Sequence, residues 1–510
     1  MPPRRLTLAV LGAAALLAAS TGPIAAQGSG RFKVAIPLPP ASHTARAASR
    51  AEPLAGRIDA VLARPELRRG RVGVEVWDPG ARRVLYARDA EKLFVPASNL
   101  KLVVTATAAH LLGPAYRWRT SVYGTGPVSD GTLRGDVVLF GRGDPTLSAR
   151  YGASRTAGLE ALADSLRARG IRRVTGDVVG DQSWWDDDLV RGEWQSYDLL
   201  WWYGAPVGAL GFNDNSIDFR IEPGTAVGQP ARITWQPQSA FVQVENRTRT
   251  VARDQRQTLD LRRGPTPGSI VAYGETPLGA GLRTEAFAVD DPARYTATVF
   301  RDVLIARGIA VDGGVRVNSD PARAPSSSAT ALAERMSPAL PEVVAPILLR
   351  SQNWIAEMLL KSVARERRGR GSWDAGLAAE RDFLEREVGV DSTAFRLRDA
   401  SGLAGENLIT PHAFVQVLDY VRRTPGEALV KAGMPVAGSP GSLQARFPDL
   451  TGRVRAKTGY ISNVDSLSGY VTLADGREIV FSIVVNGTGL SSARVRTAID
   501  DVVRAIAAGA

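Results

Sequence analysis

The stretch Pro96-Ala97-Ser98-Asn99-Leu100-Lys101 runs directly into the apolar segment Leu102-Val103-Val104-Thr105-Ala106. An extended lead-in, a serine suited to a helix start and an Ala-rich body predict a helix beginning at Ser98. Residues three apart share one helix face, so Ser98 and Lys101 are neighbours. A serine hydroxyl becomes a nucleophile when a base takes its proton. A lysine can be that base once burial or a nearby cation lowers its pKa. The free N–H groups of a first helical turn also suit a developing oxyanion. Alone, the pair is better read as a helix cap followed by an exposed lysine.

Two later stretches change that balance. Ser351-Gln352-Asn353 follows an apolar run, and Lys457-Thr458-Gly459 lies in a strand-like segment. Ser-x-x-Lys, Ser-x-Asn and Lys-Thr-Gly, in this order, resemble the motif set of penicillin-binding proteins and class A β-lactamases.

The chain has 510 residues, enough for more than one domain. With 44% hydrophobic and 23% charged residues, its composition is that of a globular protein. Residues 1–26 read as an export signal, with Arg4 and Arg5, the apolar Leu6 to Ala19, and Ala25-Ala26 as a cleavage region. An uncleaved membrane anchor is the lesser alternative, and no other stretch has the length and apolarity of a span. Without residues 1–26 the chain keeps 61 basic and 52 acidic residues, a net +9. That balance suits an anionic envelope polymer and a loose association with the membrane surface. No Lys/Arg block supports nucleic-acid binding. There is no cysteine, which excludes a thiol nucleophile, thiolate metal sites and disulfides. The three histidines, His43, His110 and His412, carry no motif for a Ser-His-Asp triad or a metal site.

Residues 27–50, rich in Ala, Ser, Pro and Arg, read as a flexible leader. A helix is expected over 51–64, then a hairpin of Arg71–Trp77 and Arg83–Ala87. From residue 117 strand-like runs alternate with Gly-rich turns. A helix follows over 157–169, a further strand-rich stretch near 225–285 and a helix over 292–309. Arg142-Gly143-Asp144 reads as a turn rather than an adhesion motif, since Pro145 follows. Trp184, Trp185, Trp194, Trp201 and Trp202 read as loop packing in preference to a sugar platform. Residues 319–330 read as a linker. Helices are expected from Ser351 to about Arg365, over 375–388, over 411–423 and over 492–508, with the last strands at 454–459, 466–473 and 480–486.

From about residue 51 the chain resembles the D-alanyl-D-alanine carboxypeptidase/endopeptidase family of class C, low-molecular-mass penicillin-binding proteins. Besides the three motifs, Gly141–Leu147, Asp399-x-Ser401-Gly402-Leu403, Met434–Gly438 and Arg455–Gly459 carry the likeness. The resemblance implies a multi-domain α/β chain. Residues 51–116 and 330–510 would form a penicillin-binding, serine β-lactamase-like domain with an antiparallel sheet between helices. Residues 117–329 would be an α+β/β insertion with a nested β-rich domain near 225–285.

It implies Ser98 as nucleophile for the D-Ala-D-Ala carbonyl and Lys101 as its base, with the ammonium form disfavoured by Lys457. Ser351 would relay a proton to the leaving amine, Asn353 hold the substrate amide, and Lys457 and Thr458 bind the terminal carboxylate. Gly459 would leave room for substrate along the strand, and the N–H groups of Ser98 and Tyr460 form the oxyanion hole. Asp198 and Tyr203, near Trp194, would meet the amine of a diaminopimelate side chain. The Arg that meets its carboxylate in relatives is replaced by Gly405, beside Glu406, with Arg446 a candidate substitute.

The implied substrates are peptidoglycan stem peptides and cross-links, with β-lactams as acylating ligands and no metal or organic cofactor. Export to the periplasm or envelope follows from the same reading, and nothing sets an oligomeric state. A β-lactamase is the nearest alternative; the insertion and the lack of a deacylating Glu motif argue against it. A catalytically idle wall-binding protein is the alternative of another class, opposed by the three intact motifs.

Overall fold

The computed structural model describes residues 53–509. The expected export signal, the leader and His43 lie outside the described residues. Distant parts of the chain build one antiparallel sheet. Strands β1 (Arg71–Asp78) and β2 (Arg83–Arg88) form the expected hairpin. Strands β3 (Val454–Ile461), β4 (Val464–Thr472) and β5 (Glu478–Asn486) complete the order β2-β1-β5-β4-β3. The closing pair runs from Arg71 opposite Asn486 to Trp77 opposite Val480.

Strands β4 and β5 are buried on both faces; β5 is accordingly a near-continuous apolar run, while β4 buries Asp465, Ser466 and Ser468 as well. Ile479, Phe481, Ile483 and Val485 meet helices α1 (Leu54–Leu62) and α6 (Ser492–Ala507). Helix α6 buries Val495, Ile499, Val502, Val503 and Ile506 at helical spacing. The opposite face, with Tyr470 and Val480, meets a helical layer: α2 (Lys101–Leu111), α3 (Leu340–Leu349), α4 (Asn353–Arg368) and α5 (Pro411–Arg422). Helix α2 is buried from Lys101 to Ala108, and Lys101 is the one charge in that stretch.

Between these halves, strands Val315–Asn318, Val178–Asp181, Val137–Phe140, Arg119–Gly124 and Ala333–Met336 form a mixed sheet in that order. Helices Ala157–Ala168 and Pro292–Ala306 contribute to the hydrophobic core beside it. Two three-stranded sheets use strands between Ser216 and Ala288, a somewhat longer stretch than the expected 225–285.

Helix ends deviate from expectation for local reasons. Helix α4 starts at Asn353 rather than Ser351, because the Gln352 side chain caps it by accepting from the Trp354 N–H. It runs to Arg368, where Gly369 adopts the left-handed conformation of a helix stop. The helix expected over 375–388 starts at Trp373 under a Ser372 cap and ends in a π-helical turn, Phe383–Val388. Part of the expected linker is ordered as a 3-10 turn, Pro321–Arg323.

Candidate active site

Ser98 does not cap a helix. It lies in a 3-10 turn, Ala97–Leu100, and the α-helix starts at Lys101. The hydroxyl is therefore free of backbone capping and meets Lys101 Nζ at 2.8 Å. Ala97, just before it, has φ +49°, a left-handed conformation that costs a non-glycine residue about 1 kcal/mol or more. Neighbouring elements enforce it. A Cβ on Gly402 would lie 2.0 Å from the Ala97 carbonyl oxygen, so the loop at 402 presses directly on this turn. Gly459 serves the same end: its Cβ would lie 2.7 Å from the Pro96 carbonyl oxygen and 2.2 Å from Ser466 Oγ. The space left by Gly459 is thus filled by the turn carrying Ser98 rather than reserved for substrate. The Asn99 amide joins turn and sheet, its nitrogen donating to the Lys457 carbonyl at 2.6 Å and its oxygen accepting from Ser468 Oγ at 2.8 Å.

Lys101 is fully buried, and burial lowers its pKa to about 7, against upward pulls from Asp399 and Glu357. Its Nζ has three partners: Ser98 Oγ, Asn353 Oδ1 at 2.7 Å and the Ser401 carbonyl at 2.7 Å. The last two can only accept. A neutral amine donates its two hydrogens to them and turns its lone pair to the Ser98 hydroxyl. Asn353 is held in that orientation because its Nδ2 donates to the Tyr203 carbonyl at 2.8 Å.

Lys457 is also fully buried. Burial first, and then the charge of Lys101, hold it well below the usual lysine range. Burial is thus the largest cause at Lys101, and the mutual repulsion of the two lysines disfavours their being charged together. Lys457 Nζ donates to Ser351 Oγ at 3.0 Å and to the Thr458 carbonyl at 2.6 Å. Ser351 has φ +58°, so the short link between α3 and α4 holds it in a left-handed conformation.

Strand β3 is a sheet edge. Its first half is covered, since the Ala437 N–H donates to the Val454 carbonyl and the Ala456 N–H to the Pro435 carbonyl. By the pleat, the backbone groups of Thr458 and Tyr460 point to the same outer side. The Thr458 hydroxyl meets Ser442 Oγ at 3.1 Å, and the Tyr460 side chain is exposed.

Asp198 and Tyr203 are hydrogen-bonded to each other: Tyr203 Oη donates to Asp198 Oδ1 at 3.3 Å. Burial raises the Asp198 pKa, and that hydrogen bond partly offsets it. Through the bond from Asn353 to its carbonyl, Tyr203 joins this pair to the Lys101 cluster. Gly405 and Glu406 are exposed. Arg446 is engaged with Asp500, which removes it as a free partner for a substrate carboxylate. Neither described histidine takes part: His110 meets Tyr420, and His412 meets buried Glu75. Trp185, Trp194 and Trp201 are buried, as the packing reading expected, and Asp144 is buried against Arg335.

A supporting layer was not evident from the sequence. Glu357, fully buried, accepts from the Ser401 N–H at 2.7 Å and from Trp373 Nε1 at 2.8 Å. Burial, with Asp399 adding, raises its pKa to about 7. Asp399 accepts from Trp194 Nε1, the Gly402 and Ala404 N–H groups and Asn407 Nδ2. Together they fix the loop whose Ser401 carbonyl meets Lys101. The available signal was an acid in the apolar run Trp354–Leu360, four residues after Asn353 on one helix face.

Fold and site define a serine hydrolase of the penicillin-binding class. Residues 54–508 match the model of the D-Ala-D-Ala carboxypeptidase 3 (S13) family. The chain is 35% identical over 444 residues to a D-alanyl-D-alanine carboxypeptidase of Actinomadura sp. (strain R39), covering 84% of this chain and 80% of that protein. It is 26% identical over 406 residues to the D-alanyl-D-alanine carboxypeptidase DacB of Haemophilus influenzae, covering 77% and 81%. The crystal structure of penicillin-binding protein 4 from H. influenzae superposes with a TM-score of 0.78 at 23% identity, over 88% of this chain and 98% of that one. That protein has also been solved in complex with a β-lactam. The chain belongs to the D-Ala-D-Ala carboxypeptidase 3 (S13) family.

Proposed function

We propose that this enzyme cleaves D-Ala-D-Ala ends, and D,D cross-links, of peptidoglycan stem peptides through an acyl-enzyme on Ser98, and that β-lactams acylate the same oxygen. It is a serine-type D-alanyl-D-alanine carboxypeptidase/endopeptidase. The observation that carries the mechanism is the partner set of Lys101: of its three neighbours, only the Ser98 hydroxyl has a proton to give.

Neutral Lys101 takes that proton as Ser98 Oγ bonds to the carbonyl carbon of the penultimate D-Ala. The outward N–H of Tyr460 on the open edge of β3, with that of Ser98, stabilises the oxyanion. The C–N bond then breaks. The proton passes from Lys101 through Ser351 to the leaving nitrogen, so the terminal D-Ala departs as an amine. Water completes the turnover, its hydroxyl going to the acyl carbon and a proton returning to Ser98. Lys457 and Thr458 receive the terminal carboxylate, and Asn353 the substrate amide. Substrate lies along the free edge of β3 as an added strand. Asp198 and Tyr203 receive a side-chain amine at the third position of the stem.

In this reading residues 51–116 and 330–510 are the catalytic domain and 117–329 an insertion with a nested β-rich domain. Residues 1–26 direct export to the periplasm or envelope, where the basic chain associates loosely with anionic surfaces. No helix among the described residues is long and apolar enough to cross a membrane. Digestion of purified peptidoglycan tests the activity. Released D-Ala and split cross-links are expected; an intact polymer in the presence of folded enzyme would overturn it.

A further inference from the structure

A second concave site lies apart from the Ser98 cluster. It is a cavity of about 880 Å³ between strands Arg119–Gly124 and Val137–Phe140, the C-terminal end of α4 and the segment 321–333. Two guanidinium groups are mounted on its aromatic wall. Arg142 Cζ lies 4.5 Å from the Phe140 ring centre, and the group donates to Ser121 Oγ at 2.7 Å and Tyr123 Oη at 3.0 Å. Arg365 Cζ lies 3.9 Å over Trp184, and its Nη1 donates to the Gly369 carbonyl.

Neither Arg142 nor Arg365 has a carboxylate within ion-pair distance among the described residues, although 37 such pairs occur elsewhere and most of them engage an arginine. Arg169 and Arg370 add positive charge to the lining. The two acids there are already engaged, Glu334 by Arg119 and Ser121, and Asp186 by Lys361. Stacking fixes a guanidinium plane and leaves N–H edges for a planar anion, with less entropy lost on binding than for a free side chain. A cavity of this size takes a ligand of several rings or residues.

Helix α4 ties this cavity to the catalytic cluster. Asn353 is in its first turn and Arg365 twelve positions on, about 18 Å along the axis. A polymer that carries carboxylates at every repeat can occupy both places. We propose that the cavity is a carboxylate-binding exosite for a second stretch of peptidoglycan, where Arg142 and Arg365 hold a stem-peptide carboxylate while another stem is cut at Ser98. This rests on the substrate assignment above.

The test compares the wild type with the double variant Arg142→Gln/Arg365→Gln on two substrates. On a short soluble peptide ending in D-Ala-D-Ala, and in β-lactam acylation, the variant should equal the wild type. On polymeric peptidoglycan its kcat/KM should fall roughly tenfold through KM. Co-sedimentation with insoluble peptidoglycan should fall likewise, and that readout needs no turnover. It therefore judges the cavity even where the substrate assignment fails, a failure that the wild type would reveal by leaving the short peptide uncut. Equal losses on both substrates, with a lowered melting temperature, would mean that the two arginines only pack. Unchanged polymer binding would also overturn the proposal. Peptidoglycan with amidated carboxylates separates the anions: it should bind the wild type as weakly as the variant. Retained binding of the amidated polymer, or equal capture of a phosphate-bearing wall polymer, would refute carboxylate recognition.

Discussion

The rate of acylation should follow the protonation of Lys101. A lysine in water titrates near 10.5; burial brings this one to about 7. Only the neutral amine accepts the Ser98 proton. Above pH 8 almost every molecule is competent; at pH 6 roughly one in ten is, and at pH 5 roughly one in a hundred. The second-order rate constant for a fluorescent penicillin, measured from pH 5 to 9, should therefore rise about tenfold per unit at the acid end and level off above pH 7. The same shift bears on stability. Because the folded-state pKa is the lower one, the unfolded chain binds the extra proton between pH 7 and 10.5. Burying this amine, either by releasing its proton or by carrying the charge into the core, costs the fold roughly 5 kcal/mol at and below pH 7, and that cost vanishes as pH rises to 10.5. An acylation profile still climbing steeply through pH 9, or flat down to pH 5, would refute the assignment of Lys101 as the base.

Lys101→Arg keeps a cation but cannot accept a proton at these pH values, so acylation should drop by two or more orders of magnitude, on the order expected for loss of a general base; near-normal labelling would contradict this. Glu380 is fully buried with neither carboxyl oxygen partnered, and burial raises its pKa well above the usual range. Glu380→Met should then raise the unfolding midpoint in thermal melts, by the equivalent of about 1–3 kcal/mol, whereas a lower midpoint would mean that the acid has an essential partner. With Gly405 in place of a basic residue and Arg446 engaged by Asp500, matched stem peptides with diaminopimelate, its amidated form or lysine at position three should be cut at similar rates, and Asp198→Ala should slow all three. A strong preference for the free carboxylate, with Asp198→Ala harmless, would contradict both halves.

Local sequence revealed what local geometry controls. The Lys457-Thr458-Gly459 strand and the helical period of residues 492–507 each involve neighbours on one element, and both appear as read; Ser98 and Lys101 do meet, but from a 3-10 turn and the helix after it rather than from one helix face. Contacts across long chain separations did not. Nothing near Asn353 in sequence announces that its amide bonds the Tyr203 carbonyl, 150 positions away. The left-handed conformation of Ala97 is imposed from outside by Gly402, so the sequence around Ser98 read as an ordinary helix start. Gly459 was read as a gap for substrate because a sequence cannot show which neighbour fills the space. Arg446 looked available for the same reason, since its partner Asp500 lies 54 residues on. Trp185, Trp194 and Trp201 pack as read, whereas Trp184 lines a cavity; the specific duty of Trp194, donating to Asp399, depends on a contact across 205 positions.

The central claim is that Ser98 Oγ carries the acyl group. Labelling the purified enzyme with a β-lactam, digesting it and locating the adduct by mass spectrometry tests this most directly. The account predicts a single adduct on the peptide containing Ser98, and none in a folded Ser98→Ala variant. An adduct on another serine, or labelling that survives in Ser98→Ala, would contradict it.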